Sequence, residues 1–228
     1  MEIRHFDRRR YPTVSVETGY GEWAATYEDT VLDLMDLRLL ERVQTLDWPQ
    51  IAEVADLACG TGRVGAWLRE QGVAAVDGVD LTDEMLALAR AKGIYRRLEQ
   101  ADLAATPLPA AHYDLVTAVL VDEHLAELGP LYREAARLAH PSGRFVLVGY
   151  HPHFMLDGIP THYNRTDGEP ATIACYVHLF SDHVRAAQAA GWTLGEMHEG
   201  LIDDDWLAQK PKWAQHYLRP VSFAVVWT

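Results

Sequence analysis

Hydrophobic and polar positions follow two alternating patterns through the middle of the chain. Short apolar runs bounded by glycine, proline or aspartate alternate with stretches in which apolar residues recur every three or four positions. The first pattern predicts buried strands and the second predicts amphipathic helices. The strands predicted here are 51–58, 73–79, 95–101, 113–120 and 144–150, and the helices between them are 62–71, 82–91 and 128–139. Strands that alternate with helices predict a parallel, doubly wound sheet.

The last third of the chain changes this pattern. Residues 180–190 predict a further helix, and 192–198 and 220–228 predict two more strands with an irregular stretch, 200–219, between them. Because no helical crossover joins the last two strands, we expect the final strand to be antiparallel. The sequence therefore predicts an α/β fold with a doubly wound, seven-stranded, mostly parallel sheet and an antiparallel last strand.

Two segments lie outside the alternation. Residues 1–19 carry mixed charge and little pattern, so we expect a flexible or draped lead-in, whereas residues 20–43 have helical spacing. Residues 151–178 contain prolines, histidines and tyrosines without periodicity, which predicts a long irregular insertion after the fifth strand. No repeat or linker divides the chain. We therefore expect a single domain over 1–228, with an N-terminal segment 1–48 and a cap at 151–178.

Charge and cysteine content narrow the functional classes. The formal net charge of −13 argues against a nucleic-acid partner, and the one basic cluster, Arg4 with Arg8–Arg10, is expected to be a solvated arm. Cys59 and Cys175 form neither a disulfide framework nor a metal-binding spacing, so no metal is expected. No apolar signal core or membrane-length apolar stretch is present, which predicts a cytoplasmic protein without a membrane partner.

Candidate chemistry begins at residues 54–64, V-A-D-L-A-C-G-T-G-R-V, where a predicted strand ends in a glycine turn before a helix. Such a turn directs backbone N–H groups towards a ligand. Residues 60–65 also satisfy G-x-G-x-x-G, with Asp80 at a suitable distance to bind a ribose, so a nicotinamide-dependent oxidoreductase is an alternative. However, Asp56 directly before the turn would repel a pyrophosphate. Asp56, Asp80 and Asp102, each after a predicted strand or at its end, instead predict a site for a cationic nucleoside such as S-adenosylmethionine.

These motifs resemble those of class I S-adenosylmethionine-dependent methyltransferases. V-A-D-L-A-C-G-T-G is similar to their first motif, G-V-D-L-T-D-E-M-L-A-L-A-R to their second and E-Q-A-D-L-A-A-T-P-L-P to their third. Y-D-L-V together with L-Y-R-E-A-A-R-L-A-H-P-S-G-R-F-V-L-V is similar to the segment around their fourth and fifth strands. The resemblance covers residues 20–150 and extends to methyltransferases of ubiquinone and menaquinone biosynthesis. Ala58 replaces a glycine of the first motif, which we expect to be a modest change. The resemblance implies a Rossmann-like fold.

The resemblance also implies a set of cofactor-binding residues. Asp56 and the backbone around Ala58, Gly60 and Gly62 would face the methionine moiety. Asp80 would bind the ribose hydroxyls, with Leu81 against the adenine. The remaining residues implied in this way are Asp102 and Leu103 for the adenine edge and Val119 for the ammonium group.

The N-terminal run G-Y-x-x-W-A-x-x-Y-[DE] at 19–28 resembles a helix that covers the cofactor in small-molecule methyltransferases, which makes Tyr20 and Tyr27 candidates for the methionine carboxylate. Simpler roles remain open for several of these residues. Asp80 would also serve as a cap for the helix that follows it, and Asp102 as a turn residue. Tyr27 would equally serve as a packing residue.

Histidines are the candidate bases for methyl transfer, because imidazole titrates near neutral pH. His151, His153 and His178 fall in or beside the insertion, and we expect one of them to line the acceptor pocket as the base. His124 is expected to line the cleft rather than to catalyse. The histidines lack an H-x-x-x-H spacing, so a metal site is not expected.

The acceptor pocket is predicted from segments 11–27, 122–125, 151–178 and 203–217, with Trp206, Trp213 and Tyr217 suited to a planar or apolar molecule. The predicted function is methyl transfer to an oxygen or nitrogen of a small-molecule acceptor, by a monomer or homodimer. A protein of this fold that binds the cofactor without transferring methyl is a second alternative. A protein-modifying enzyme is disfavoured because the sequence shows no substrate-docking domain.

Overall fold

The computed structural model describes all 228 residues and contains one seven-stranded central sheet. Its strands in chain order are β1 Glu53–Leu57, β2 Ala75–Asp80, β3 Arg97–Gln100, β4 Tyr113–Val119, β5 Ala139–Tyr150, β6 Leu194–Leu201 and β7 Pro220–Trp227. Their spatial order is β3-β2-β1-β4-β5-β7-β6. Strand β7 is antiparallel to both of its neighbours, and the other pairings are parallel. The predicted mostly parallel sheet with an antiparallel last strand is confirmed.

Helices cover both faces of this sheet, as its apolar strands require. The helices in chain order are α1 Val16–Trp23, α2 Tyr27–Thr30, α3 Leu37–Leu40, α4 Arg63–Glu70, α5 Asp83–Lys92, α6 Gly129–Leu138, α7 Pro152–Leu156, α8 Phe180–Ala189 and α9 Asp204–Gln209. One core packs α6 and α8 against β1, β4 and β5, and a second packs α3 and α4 against the same strands. No helix of the fold is both long and apolar enough to span a membrane.

The N-terminal segment does not form the single helix predicted over 20–43. Helices α1 and α2 are joined by a 3₁₀ turn at Ala24–Thr26, and a non-helical stretch precedes α3. The Thr30 hydroxyl bonds to backbone carbonyls of the preceding turn, where α2 ends. Asp36 then caps α3 through the Leu37 N–H and forms a buried ion pair with Arg63. Polar side chains that bond to local backbone compete with helix continuation, which spacing alone does not reveal.

The insertion forms a second, three-stranded sheet with a two-residue strand from the lead-in, so the irregular structure predicted for the insertion is wrong. Strands His162–Asn164 and Pro170–Ile173 make an antiparallel hairpin, and Thr13–Val14 adds to it in parallel. The N-terminal amine donates to the Val177 carbonyl at 2.9 Å. Strands of two to four residues are too short to produce a periodic pattern, and their pairing partners lie far apart in sequence.

The predicted irregular stretch 200–219 is also largely helical. It contains α9 and a 3₁₀ helix at Pro211–His216. Asp203 caps α9 by accepting the Trp206 N–H. The excursion places Trp206 and Trp213 beside the N-terminal segment and the insertion, on one end of the sheet.

Candidate active site

The glycine turn after β1 is built from residues in left-handed backbone conformation. Ala58, Gly60 and Gly62 have φ values of +54°, +54° and +82°. The Gly62 N–H bonds to the Cys59 carbonyl at 2.9 Å, and α4 begins at the next residue. Ala58 is not the modest change that we expected, because a left-handed alanine costs roughly 1–2 kcal/mol that a glycine avoids.

Gly60 has open space where a side chain would be. A Cβ placed on Gly60 meets no heavy atom within 4 Å. Gly60 also lines a cavity of about 200 Å³ at the carboxyl ends of the neighbouring strands β1, β2 and β4. A ligand in this cavity can therefore approach the backbone of the turn closely.

The cavity collects most of the residues that the sequence predicted for the cofactor. Those that line it are Tyr20, Tyr27, Ala58, Gly60, Asp80, Leu81, Asp102, Leu103 and Val119. The carboxyl ends of adjacent parallel strands meet at one edge of a sheet, which brings these residues together. Asp56 and Gly62 are the two predicted cofactor residues that do not line it.

Asp80 holds the glycine turn and faces the cavity at the same time. One carboxylate oxygen accepts the Gly60 N–H and the other accepts the Thr82 N–H, both at 2.8 Å. Burial raises the pKa of Asp80, and these N–H donors oppose the shift. Each oxygen keeps a second lone pair for a ligand hydroxyl. Asp80 can therefore stabilise the start of α5 and bind a ligand at the same time.

The other end of the cavity is apolar with one exposed carboxylate. Leu81, Met85 and Leu103 form part of the lining, as a planar base would need. Asp102 is exposed, and one of its oxygens accepts the Ala104 N–H at 2.8 Å. This is the turn-residue contact expected as the simpler role, and it leaves the second oxygen of Asp102 free.

Asp56 lies buried beside the turn rather than in the cavity. The hydroxyls of Tyr95 and Thr117 donate to its two oxygens at 2.7 and 2.8 Å. Burial raises the pKa of Asp56 to about 6. A small pocket of about 30 Å³, lined by Asp56, Asp36 and Arg63, adjoins the main cavity through shared residues at Tyr27 and the turn.

Tyr95 is a site residue that the sequence reasoning missed. A Cβ on Gly62, Gly65 or Gly78 would collide with the Tyr95 ring, so three glycines make room for it. The last glycine of G-x-G-x-x-G therefore serves the packing of a tyrosine that donates to Asp56. No local pattern marks Tyr95, because its partners come from β1, β2 and α4.

Replacing Tyr95 with phenylalanine is expected to destabilise the fold increasingly as pH rises. In the folded state the pKa of Asp56 is about 6, above its ordinary value of 3.8. Ionisation of this carboxyl therefore lowers the free energy of unfolding as the pH rises from 3.8 to about 6, and this loss persists at higher pH. The Tyr95 hydroxyl offsets part of that cost. We expect Tyr95→Phe to lower the free energy of unfolding by about 1 kcal/mol at pH 4.5, where the hydroxyl bonds to a neutral carboxyl, and by about 2–3 kcal/mol at pH 8, where the carboxyl is ionised. Urea unfolding of both proteins at each pH measures this difference.

Tyr113→Phe is the matched control. Tyr113 donates a hydrogen bond to Asp77 at 2.8 Å. Burial alone would raise the pKa of Asp77, but its hydrogen bonds to Arg96 outweigh burial and hold the pKa below its ordinary value. Asp77 therefore stays ionised from pH 4.5 to pH 8, and the decrease in the free energy of unfolding of Tyr113→Phe should not depend on pH. An equal loss for Tyr95→Phe at pH 4.5 and pH 8 would contradict the assignment.

His124 is the histidine that lines the cavity. Its Nδ1 lies 2.8 Å from the Ala174 carbonyl, which can only accept, so the ring proton resides on Nδ1. Nε2 then accepts the Tyr20 hydroxyl at 2.8 Å. Burial lowers the pKa of His124 to about 4, which leaves the ring neutral at physiological pH. Glu123, also buried, lies 3.5 Å from Nε2.

The other predicted base candidates lie elsewhere, which corrects their placement in the acceptor pocket. His151 lies 2.8 Å from Glu199 and packs against Phe180. His178 donates to the Leu125 carbonyl at 2.7 Å. His153 is half exposed on α7. None of these three side chains lines either cavity.

A second, larger cavity of about 610 Å³ lies between the N-terminal segment, the insertion and residues 206–216. Three of the four segments predicted for the acceptor pocket contribute to it, and 122–125 does not. Tyr150, Phe154 and Trp213 form a stack on its wall, with centroid distances of 6.1 and 5.3 Å. Trp206 also lines it, whereas Tyr217 is exposed elsewhere.

One layer of side chains separates the two cavities. Trp23 lines the second cavity, and its ring lies 5.9 Å from that of Tyr20 and 5.0 Å from that of Tyr27, both of which line the first. Leu120 lines the first cavity and packs in one cluster with Phe154 of the second. Elsewhere in the molecule, no group of three or more His, Cys, Asp or Glu side chains is arranged to hold a metal ion.

The fold and the cavity at the glycine turn define a nucleotide-type site on a Rossmann-like sheet, and comparison with known proteins identifies its class. Residues 55–147 match the family model described as a methyltransferase domain. The human methyltransferase-like protein 27 is 38 % identical over 96 residues, which are 40 % of this chain and 39 % of that protein. Demethylmenaquinone methyltransferase of Thermus thermophilus is 36 % identical over 104 residues, 43 % of this chain and 47 % of that protein. These matches span less than half the length of either relative.

Solved structures extend the likeness of the fold beyond the matched domain. An S-adenosylmethionine-dependent methyltransferase from Mesorhizobium loti superposes with a TM-score of 0.69 at 23 % identity, over 87 % of this chain and 98 % of that one. Residues 55–147 therefore form a methyltransferase domain. The predicted resemblance to class I S-adenosylmethionine-dependent methyltransferases is confirmed, as is the predicted cofactor. The oxidoreductase alternative is not supported by these matches.

Proposed function

We propose that this chain transfers the methyl group of S-adenosylmethionine to an oxygen or nitrogen of a small molecule bound in the second cavity. The observation that carries the proposal is the arrangement of the two cavities. One is open at Gly60 and flanked by Asp80, and a separate 610 Å³ cavity lies one side-chain layer away. A volume of this size falls in the range of small-molecule sites.

The residues around the first cavity fit the cofactor. S-adenosylmethionine supplies an electrophilic methyl group on a sulfonium. In our proposal Asp80 accepts the ribose hydroxyls, and Leu81, Met85 and Leu103 hold the adenine. Tyr27 and the Gly60 backbone hold the methionine end, beside the buried charge of Asp56. A carboxylate next to the turn favours a cationic ligand and disfavours a pyrophosphate.

His124 lines the first cavity, and we propose that it accepts a proton from the acceptor group once the reacting atom of the acceptor passes the Trp23–Tyr20 layer into that cavity. Its neutral Nε2 is directed at the Tyr20 hydroxyl in the cavity wall. Because burial lowers its pKa to about 4, proton uptake is favourable only as the acceptor atom becomes acidic on receiving the methyl group. Tyr20 orients the ring and relays the hydrogen bond towards the acceptor.

The N-terminal segment lines both cavities, and the insertion lines the second. Their small sheet packs on α1, where Gly19 allows close approach to Ile173. Glu28 of α2 also bonds to Thr61 of the glycine turn and to Lys92 of α5. We propose that residues 1–228 act as one domain in which the N-terminal segment closes over the cofactor and excludes water from the reacting atoms.

The test is detection of S-adenosylhomocysteine and a methylated product after incubation with S-adenosylmethionine and a panel of phenols, carboxylic acids and amines. We expect stoichiometric formation of both with at least one acceptor class. Equilibrium binding of S-adenosylmethionine and of NAD is measured in parallel. Tight binding of S-adenosylmethionine without turnover on any acceptor would identify a cofactor-binding protein instead, and tighter binding of NAD would contradict the proposal.

A further inference from the structure

Three basic side chains of this acidic protein, Arg9, Lys210 and Lys212, line the second cavity. The chain contains 33 acidic and 20 basic residues, and its only lysines are Lys92, Lys210 and Lys212. Two of these three line the second cavity together with Arg9. Asp29 is the single carboxylate in the lining. The cavity therefore has a positive local charge, opposite in sign to the whole chain.

None of these three cations forms a salt bridge. No carboxylate oxygen lies within 4.0 Å of the side-chain nitrogens of Arg9, Lys210 or Lys212, although Asp7 is close enough for its charge to act on Arg9. The Lys210 ammonium donates to the Thr30 carbonyl at 3.0 Å, which leaves further donors free, and the Arg9 guanidinium lies 6.0 Å from the Tyr11 ring centre. Arg9 and Lys210 are half-buried. Half-buried cations without a counter-charge are costly, since burial and mutual repulsion both disfavour their charge.

The pKa values of Lys210 and Arg9 are both lowered, as expected for half-buried cations without a paired counter-charge. Burial lowers the pKa of Lys210, and the charge of Lys212 lowers it further. Burial is also the main cause that lowers the pKa of Arg9. A bound anion would offset both effects, because an opposite charge favours the ionised form.

A buried donor in the same lining also lacks a partner. Trp206 is 1 % exposed, and its indole Nε1–H has no hydrogen-bond acceptor. Buried polar groups are nearly always satisfied, so an unpaired donor in a cavity wall indicates a missing acceptor. Trp206 packs against Trp213, which belongs to the aromatic stack of Tyr150, Phe154 and Trp213, and this stack suits a flat apolar body.

We propose that the second cavity binds an anionic molecule with a flat apolar body, whose carboxylate or phosphate contacts Arg9, Lys210 and Lys212 while its rings pack on the Tyr150–Phe154–Trp213 stack. This proposal rests on the proposed function, because it gives the chemical class of the methyl acceptor.

Three probes with one ring system test this assignment: 2-naphthoate, 2-naphthyl phosphate and the neutral 2-naphthamide. Binding to the full chain is measured by calorimetry at low salt, and Trp206 and Trp213 supply a fluorescence signal for occupancy of the cavity. We expect at least one anion to bind about 10-fold or more tightly than the amide, as charge-assisted hydrogen bonds predict. The comparison of carboxylate with phosphate identifies the preferred head group.

The K210Q/K212Q double variant is expected to remove most of this preference, leaving the anion and the amide within about threefold of each other. R97Q/R133Q is the matched control, since it removes the same number of charges from exposed positions away from the cavity. The control should keep the wild-type preference. Equal binding of anion and amide to the wild type, or a preference that survives in K210Q/K212Q, would overturn the proposal.

Methyl transfer is scored separately with 3-hydroxy-2-naphthoate and 3-hydroxy-2-naphthamide. Anion-selective binding without methyl transfer to any acceptor would leave this assignment standing and contradict only the proposed function. Methyl transfer to the amide at a rate equal to or above that of the anion would sustain the proposed function and overturn the assignment. The two failures are thus distinguishable.

Discussion

Replacing Gly60 with alanine is expected to weaken S-adenosylmethionine binding about 10- to 100-fold while the chain stays folded. The added Cβ meets nothing in the protein within 4 Å and lies in the cavity where the proposed cofactor approaches the turn. Filling space that a ligand needs costs about 1–3 kcal/mol, which corresponds to that range of affinities. The φ of +54° adds about 1–2 kcal/mol of backbone strain to the folded state.

Gly93→Ala separates these two effects. Gly93 follows α5, has φ of +63° and also has open space around its Cβ position, but it does not line the cavity. We expect both variants to lose similar stability in thermal melts, and only Gly60→Ala to lose affinity in calorimetric titration with S-adenosylmethionine. Equal affinities in the two variants would show that the cofactor does not approach Gly60.

Replacing His124 with glutamine is expected to lower kcat for methyl transfer by about 10²- to 10⁴-fold, the usual contribution of a positioned base. Glutamine can still donate to the Ala174 carbonyl and accept from Tyr20, so the affinity for S-adenosylmethionine should change by less than about threefold. In the wild type, His124 is ready to accept a proton once it is neutral. Because its pKa is about 4, kcat should rise through about pH 4 and stay level through neutrality if this group alone controls it.

Single-turnover rates across pH in wild type, His124→Gln and His140→Gln measure this effect. His140 is exposed at the start of β5 and its side chain bonds only to nearby Ser142, so its variant should behave as wild type. If the rate loss appeared instead in glutamine variants of His151, His153 or His178, the base would lie in the insertion, as the sequence pattern predicted, and the His124 proposal would fail.

The sheet was predictable because its strands and helices carry strong local patterns. Strands such as β4 are buried on both faces and read as continuous apolar runs, and the helices between them have one apolar face and recognisable ends. The motif residues were predictable for a related reason. Asp80, Asp102 and the glycine turn each follow a strand directly, and parallel strands bring their carboxyl ends to one edge.

The small three-stranded sheet was not predictable from local pattern. Its strands Thr13–Val14 and Pro170–Ile173 are short, and they pair across more than 150 residues of chain. The histidines of the insertion were assigned to the acceptor pocket from composition alone. Which way each imidazole points depends on partners such as Glu199 and Leu125 that no spacing rule identifies.

The sequence by itself determined the fold class, the methyltransferase domain and the cofactor, because these follow from short motifs whose function is fixed by their position on one strand and one turn. The tertiary structure determined which side chains contact one another in and around the site. It placed Tyr95 against Asp56, set the tautomer of His124 through Ala174, and brought Arg9, Lys210 and Lys212 to the lining of one cavity. These contacts join residues distant in sequence, and their energies depend on burial and geometry that exist only once the chain has folded.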